Sequence, residues 1–140
     1  MKIKPKFTTG LKRLLRLADH LDTVKKKTFD MCVWRYDTEC GAVACAVGHA
    51  CTIPEFKRAG LSIRQNRYGE WYPSYRGKKV VMSVCAFFGL TENEEMYLFA
   101  NAEDDYDTTP KQVAKRIRRF VKAKSLGLPG VLAGYPVTIS

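Results

Sequence analysis

Residues 40–51 read CGAVACAVGHAC, and the fold turns on how this run of small residues is wound. Gly41, Ala42, Ala44, Ala46, Gly48 and Ala50 carry almost no side-chain bulk, so neighbouring backbones can come close. Asp37, Thr38 and Glu39 stand just before the run, and their oxygens suit the free N–H groups of a helix start. One central helix is therefore expected, serving as the axis on which the other elements pack. At its start, backbone N–H groups beside Cys40 and Gly41 would suit a phosphate, although Asp37 and Glu39 would repel an anion there.

The same geometry limits catalysis. If residues 40–49 form one helix, Cys40 and His49 lie roughly 13 Å apart along its axis and cannot share a proton. A cysteine-dependent hydrolase using Cys40 is thus a secondary expectation, with His49 a weak partner and His20 the only other histidine. Cys45 and His49 sit at i and i+4, but a cysteine among alanines is usually inert core. The spacing C-x7-C-x4-C-x5-C from Cys32 to Cys51 lacks the close cysteine pairs of structural zinc sites. No metal site and no cofactor is expected, and the protein reads as non-enzymatic.

Working outward, Leu11, Leu14, Leu15, Ala18 and Leu21 recur at helical spacing, with Lys12, Arg13, Arg16, Asp19 and His20 opposite. Phe29 to Tyr36 is apolar at both periodicities and fits a strand or a short helix. Pro54 at a first-turn position starts a short helix that Gly60 ends. Leu61 to Tyr75 reads as a β-hairpin or extended loop. Val80 to Phe88 has almost no polar face and is expected to be a buried helix ending at Gly89. Thr91-Glu92-Asn93-Glu94 and Thr109-Pro110-Lys111-Gln112 are both capping boxes. The helix after the second carries Val113, Ile117, Phe120 and Val121 as a core stripe within a basic surface. The expected architecture is mainly α, with one small hairpin beside the central helix. Residues 1–125 form a single basic domain, and 126–140 a Gly- and Pro-containing tail that runs as an extended strand.

Charge selects the partners. The chain carries 24 Lys and Arg against 14 Asp and Glu, a net +10, which favours polyanionic partners such as a nucleotide or nucleic acid. Seven of the acids fall between Glu92 and Asp107, where no Lys or Arg occurs, so one side should be acidic and the remainder strongly positive. Asp104, Asp105 and Asp107 lack EF-hand spacing and read as acidic surface. Arg64, Arg67, Tyr68, Trp71, Tyr72, Tyr75, Arg76, Lys78 and Lys79 interleave cations with aromatic rings, which suits phosphates and stacked bases. The basic C-terminal helix is a second candidate for contact with a phosphate backbone. No apolar run approaches the roughly 20 residues of a membrane span. The charged N-terminus without an apolar stretch, and an odd number of cysteines read as reduced thiols, point to the cytoplasm.

These residues resemble an uncharacterised bacterial and phage protein family. Its pattern appears here as Phe29-Asp30-Met31 with Trp34, Cys40-Gly41 with Ala44-Cys45, Gly48 and Ala50, and then Ile53-Pro54-Glu55-Phe56 and Gly60-Leu61. Phe87 to Thr91, Leu98-Phe99 and Thr109-Pro110 through Arg116-Ile117 continue it over most of the chain. Ala42 stands where the family carries a threonine, which removes a hydroxyl near the small-residue run. The resemblance names no activity. A phage origin would imply a small host-directed factor, such as an inhibitor acting by contact with a host protein or a binder of immune nucleotide signals.

Overall fold

The computed structural model describes residues 4–128. The small-residue run is not one helix. Arg35–Thr38 (β1) and Gly41–Ala44 (β2) form an antiparallel hairpin, and only Ala46–Ala50 (α2) is helical. The reason is local. Gly41 has φ +115, outside the helical region, and follows a two-residue loop of Glu39 and Cys40. Thr38 stitches that loop, its hydroxyl accepting from the Cys40 N–H at 3.2 Å and donating to the Gly41 carbonyl at 2.7 Å. Residues that suit a helix cap serve a turn equally well.

Small size matters where the helix begins. A Cβ on Gly48 would come within 2.1 Å of the Trp34 carbonyl oxygen, so glycine alone lets α2 lie against the chain that enters β1. The Cys45 N–H donates to the Val33 carbonyl and the Asp30 N–H to the Ala44 carbonyl, each at 3.0 Å. Residues 29–34, open between strand and helix on sequence, are therefore a pinned irregular segment that becomes strand at Arg35.

The expected mainly-α class is corrected: the fold is mixed, 47% helical and 16% strand, with six helices and two small antiparallel sheets among the described residues. Around the first sheet stand Thr9–Leu21 (α1), Pro54–Arg58 (α3), Val80–Phe88 (α4), Glu92–Phe99 (α5) and Pro110–Ser125 (α6). The second sheet is Ser62–Gln65 (β3), Trp71–Tyr75 (β4) and Lys78–Lys79 (β5), in the order β3-β4-β5. Both capping boxes form, at Thr91 with Glu94 and at Thr109 with Gln112. Gly89 ends α4 in the left-handed conformation.

One core unites these elements. Leu14, Leu17 and Leu21 of α1 meet Ile117, Phe120 and Val121 of α6, all essentially without exposure. Phe56, Phe87 and Phe88 pack edge to face, with ring centroids 4.9 to 6.0 Å apart. The α4 helix buries Ser83, Val84, Phe87 and Phe88 but leaves the apolar Val80 and Met82 exposed, so it is not wholly buried. From residue 129 onward the expected tail lies outside the described residues. No helix among the described residues is long and apolar enough to cross a membrane.

Candidate functional site

The pleat divides the aromatic and basic segment between two faces. Antiparallel partners share a face, so Arg64 lies with Tyr72, and Ser62 with Ser74 and Lys79. Gln65 with Trp71, Ile63 with Pro73, and Tyr75 with Lys78 belong to the opposite face. Tyr75 is buried edge-on against Phe87, a core residue rather than a stacking platform. Arg76 occupies a hairpin turn at φ 48, beside Gly77 at φ 78. Tyr68 is exposed in the loop between β3 and β4, with the Arg67 guanidinium 4.9 Å from its ring centre. The nine residues therefore do not converge on one point. Arg64, Arg67, Arg76, Lys78 and Lys79 form no ion pair among the described residues.

What Trp71 does enter is a cleft of about 740 Å³, a size suited to a nucleotide or other small ligand. Met31, Cys32, Trp34, Arg35 and Asp37 form one wall. Gln65, Gly69, Glu70 and Trp71 form the facing wall, and Val81, Glu95 and Phe99 close it from α4 and α5. The Arg35 guanidinium lies 4.0 Å from the Trp71 ring centre and its Nε donates to Asp37 at 3.0 Å. Part of the lining belongs to the basic and aromatic segment legible in sequence; the part from residues 31–37 carries no such signature. Its only sequence signal is Trp34, immediately before the polar strand Arg35–Thr38.

Deep in the cleft is Glu95, 2% exposed. Its Oε1 is the one buried side-chain oxygen or nitrogen without a hydrogen-bond partner among the described residues. Burial, aided by the Glu92 charge, pushes this carboxyl above its ordinary pKa. The lining thus holds Asp37, Glu70 and Glu95 against Arg35, so it is acidic within a basic protein.

Neither Cys40 nor Gly41 lines the cleft; both are exposed at the tip of the first hairpin. The expected phosphate site there is corrected, because no helix starts at Cys40. Four residues of extended strand, about 13 Å, separate Cys40 from Cys45. His49, on α2 beyond Cys45, points its Nε2–H at the Thr28 carbonyl, 2.7 Å away. It lies 6.4 Å from His20, centroid to centroid, and burial lowers the pKa of both rings. Cys45 is buried beside the cleft, and burial pushes its thiol up to about 11. Cys51 is pushed up to about 12 for the same reason. Neither is a thiolate at neutral pH. No group of three or more His, Cys, Asp or Glu among the described residues is placed to hold a metal ion.

Three of the seven basic residues of the C-terminal helix are paired with acids of the same chain. Arg118 Nη2 donates to Asp19 at 2.9 Å and Asp22 at 2.6 Å, Lys124 to Glu94 at 2.6 Å, and Arg116 to Asp104 and the Leu98 carbonyl. Two acids of the segment 92–107, Glu94 and Asp104, serve as counter-charges to α6, while Glu92, Glu103, Asp105 and Asp107 stay exposed. No described protein family, curated protein or solved structure matches this chain.

Proposed function

We propose that the protein is a non-enzymatic binding protein for a nucleotide or single-stranded nucleic acid, held in the cleft between Trp34 and Trp71. The observation that carries this reading is that two tryptophans line one nucleotide-sized cleft in a protein of net charge +10. Indole faces stack on any base, and a guanidinium already stacked on Trp71 offers a second planar surface. The acidic lining keeps phosphates out of the cleft itself. They belong at its rim, where Arg67 stands in the loop between Gln65 and Gly69 and has no acidic partner among the described residues.

Fluorescence anisotropy with a short mixed-sequence single strand tests this. Affinity should fall steeply as salt rises. Trp71→Ala should weaken binding by about tenfold, the value of one stacked base, and leave the salt slope unchanged. Arg67→Ala should weaken binding and flatten the slope. Binding unaffected by either substitution would refute the site.

A second reading, a host-directed inhibitor acting by protein contact, draws on the exposed Val80 and Met82 of α4. Co-purification with one host protein, together with no nucleotide binding, would favour it.

A further inference from the structure

We propose that the outer face of α6 is a docking surface for double-stranded nucleic acid, held through its phosphate backbone and independent of the cleft. The helix carries seven cations and no acid. Arg116, Arg118 and Lys124 are paired within the chain. Lys111, Lys115, Arg119 and Lys122 are exposed and form no ion pair among the described residues. At 3.6 residues per turn these four fall within an arc of about 80°, opposite the buried stripe of Val113, Ile117 and Phe120. They form a row about 16 Å long. Lys111, at the start of the row, also feels Asp22, whose carboxylate Arg118 holds. Lys111 with Lys115, and Lys115 with Arg119, stand four residues apart, where like charges destabilise a helix. The core needs none of these charges, since all lie on the face away from it.

The form of the partner follows from what this face lacks. No residue of α6 is an exposed large hydrophobic, so the face offers neither an anchor for a protein partner nor an apolar edge to enter a lipid surface. The one aromatic residue of the helix, Phe120, is buried, so the bases of a single strand would find nothing to stack on. A duplex keeps its bases stacked inside and presents phosphate, at about one charge per 1.7 Å of its axis. A row of about 16 Å therefore meets roughly ten phosphate charges, enough to engage all four cations. Such contacts fix position and carry no sequence preference. DNA and RNA duplexes share this chemistry. None of the four cations lines the cleft, so the two surfaces act separately.

Fluorescence anisotropy of the full chain with labelled DNA and RNA duplexes of one sequence tests the surface and separates the two sources of phosphate. The logarithm of affinity should fall with the logarithm of salt concentration at a slope of about −3 to −4, as four neutralised phosphates require. Lys115→Ala with Arg119→Ala, checked for helicity by circular dichroism, should weaken binding and make that slope shallower by about 2. Lys57→Ala with Arg58→Ala removes the same charge from the exposed side of α3 and should leave the slope in place. Trp71→Ala should leave duplex binding unchanged. Equal loss in both double variants would reduce the effect to net charge and overturn the surface. Loss of duplex binding in Trp71→Ala would move the duplex to the cleft and overturn it too. Failure to bind either duplex would do the same, while the cleft reading would still stand on its single-strand result. Tighter binding to phosphatidylserine vesicles or to poly-glutamate than to the duplexes would overturn the choice of partner.

Discussion

Glu94 and Glu95 are neighbours on α5, both buried, and their surroundings are opposite. Glu94 is 5% exposed, and its carboxylate accepts from the Thr91 N–H at 2.9 Å and from Lys124 Nζ at 2.6 Å. Glu95 is 2% exposed beside the cleft, and its buried Oε1 has no hydrogen-bond partner among the described residues. Burial pushes the Glu94 pKa up, but Lys124 and the Thr91 contacts outweigh it, and the carboxyl ends below its ordinary value. For Glu95 burial acts with Glu92 and raises it. The fold thus satisfies one carboxylate and leaves an oxygen of the next buried without a partner.

The largest expected effect is on the satisfied side. Arg116→Ala leaves Asp104, 8% exposed at its side chain, and the Leu98 carbonyl without their donor. Chemical denaturation should show a loss of about 3–5 kcal/mol. Glu95→Met should move stability the other way, raising it by about 1–3 kcal/mol at neutral pH, because an unsatisfied buried carboxylate is removed. Destabilisation there would mean that Glu95 has an internal role and would end the contrast. Glu94→Gln should cost about 1–2 kcal/mol, the lower figure reflecting that Lys124 is 40% exposed and partly screened by water. The smallest effect concerns the far end of the second sheet. Arg76→Gly, at a left-handed turn position, should raise stability by about 0.5 kcal/mol and leave nucleotide binding intact.

Titration separates the two glutamates further. Glu94 has a folded pKa below its unfolded value, so its stabilisation is present above about pH 4.5 and lost as pH falls through the folded value. The folded pKa of Glu95 lies above its unfolded value. Its contribution is most favourable below about pH 4.5 and declines as pH rises through the folded value. Denaturation curves of Glu94→Gln and Glu95→Gln across that window should therefore diverge from wild type in opposite senses. His20 and His49, both lowered by burial, add a separate loss of stability as pH falls below about 6.5.

Capping, periodicity and turn chemistry made much of this fold legible in advance. Thr91 with Glu94, Thr109 with Gln112, Pro54, Gly89 and the hairpin through Trp71 each occupy the place their residue types demand. The small-residue run misled because glycine and alanine leave period and face unmarked. Its hairpin is set by a single backbone angle at Gly41 and one threonine side chain, Thr38, which equally resemble a helix start. Within the candidate site, Trp71 was legible and Glu95 was not. A glutamate in the first turn of a capped helix reads as a solvated dipole partner. Only the tertiary fold, which brings residues of β1, β4 and α5 around one cleft, makes it part of the lining.

The most direct measurement is a carbon-detected NMR pH titration of the side-chain carboxyls of Glu94 and Glu95. Glu95 should titrate above the ordinary carboxylate range and Glu94 below it. Two carboxyls that titrate together, or in the reverse order, would contradict the account.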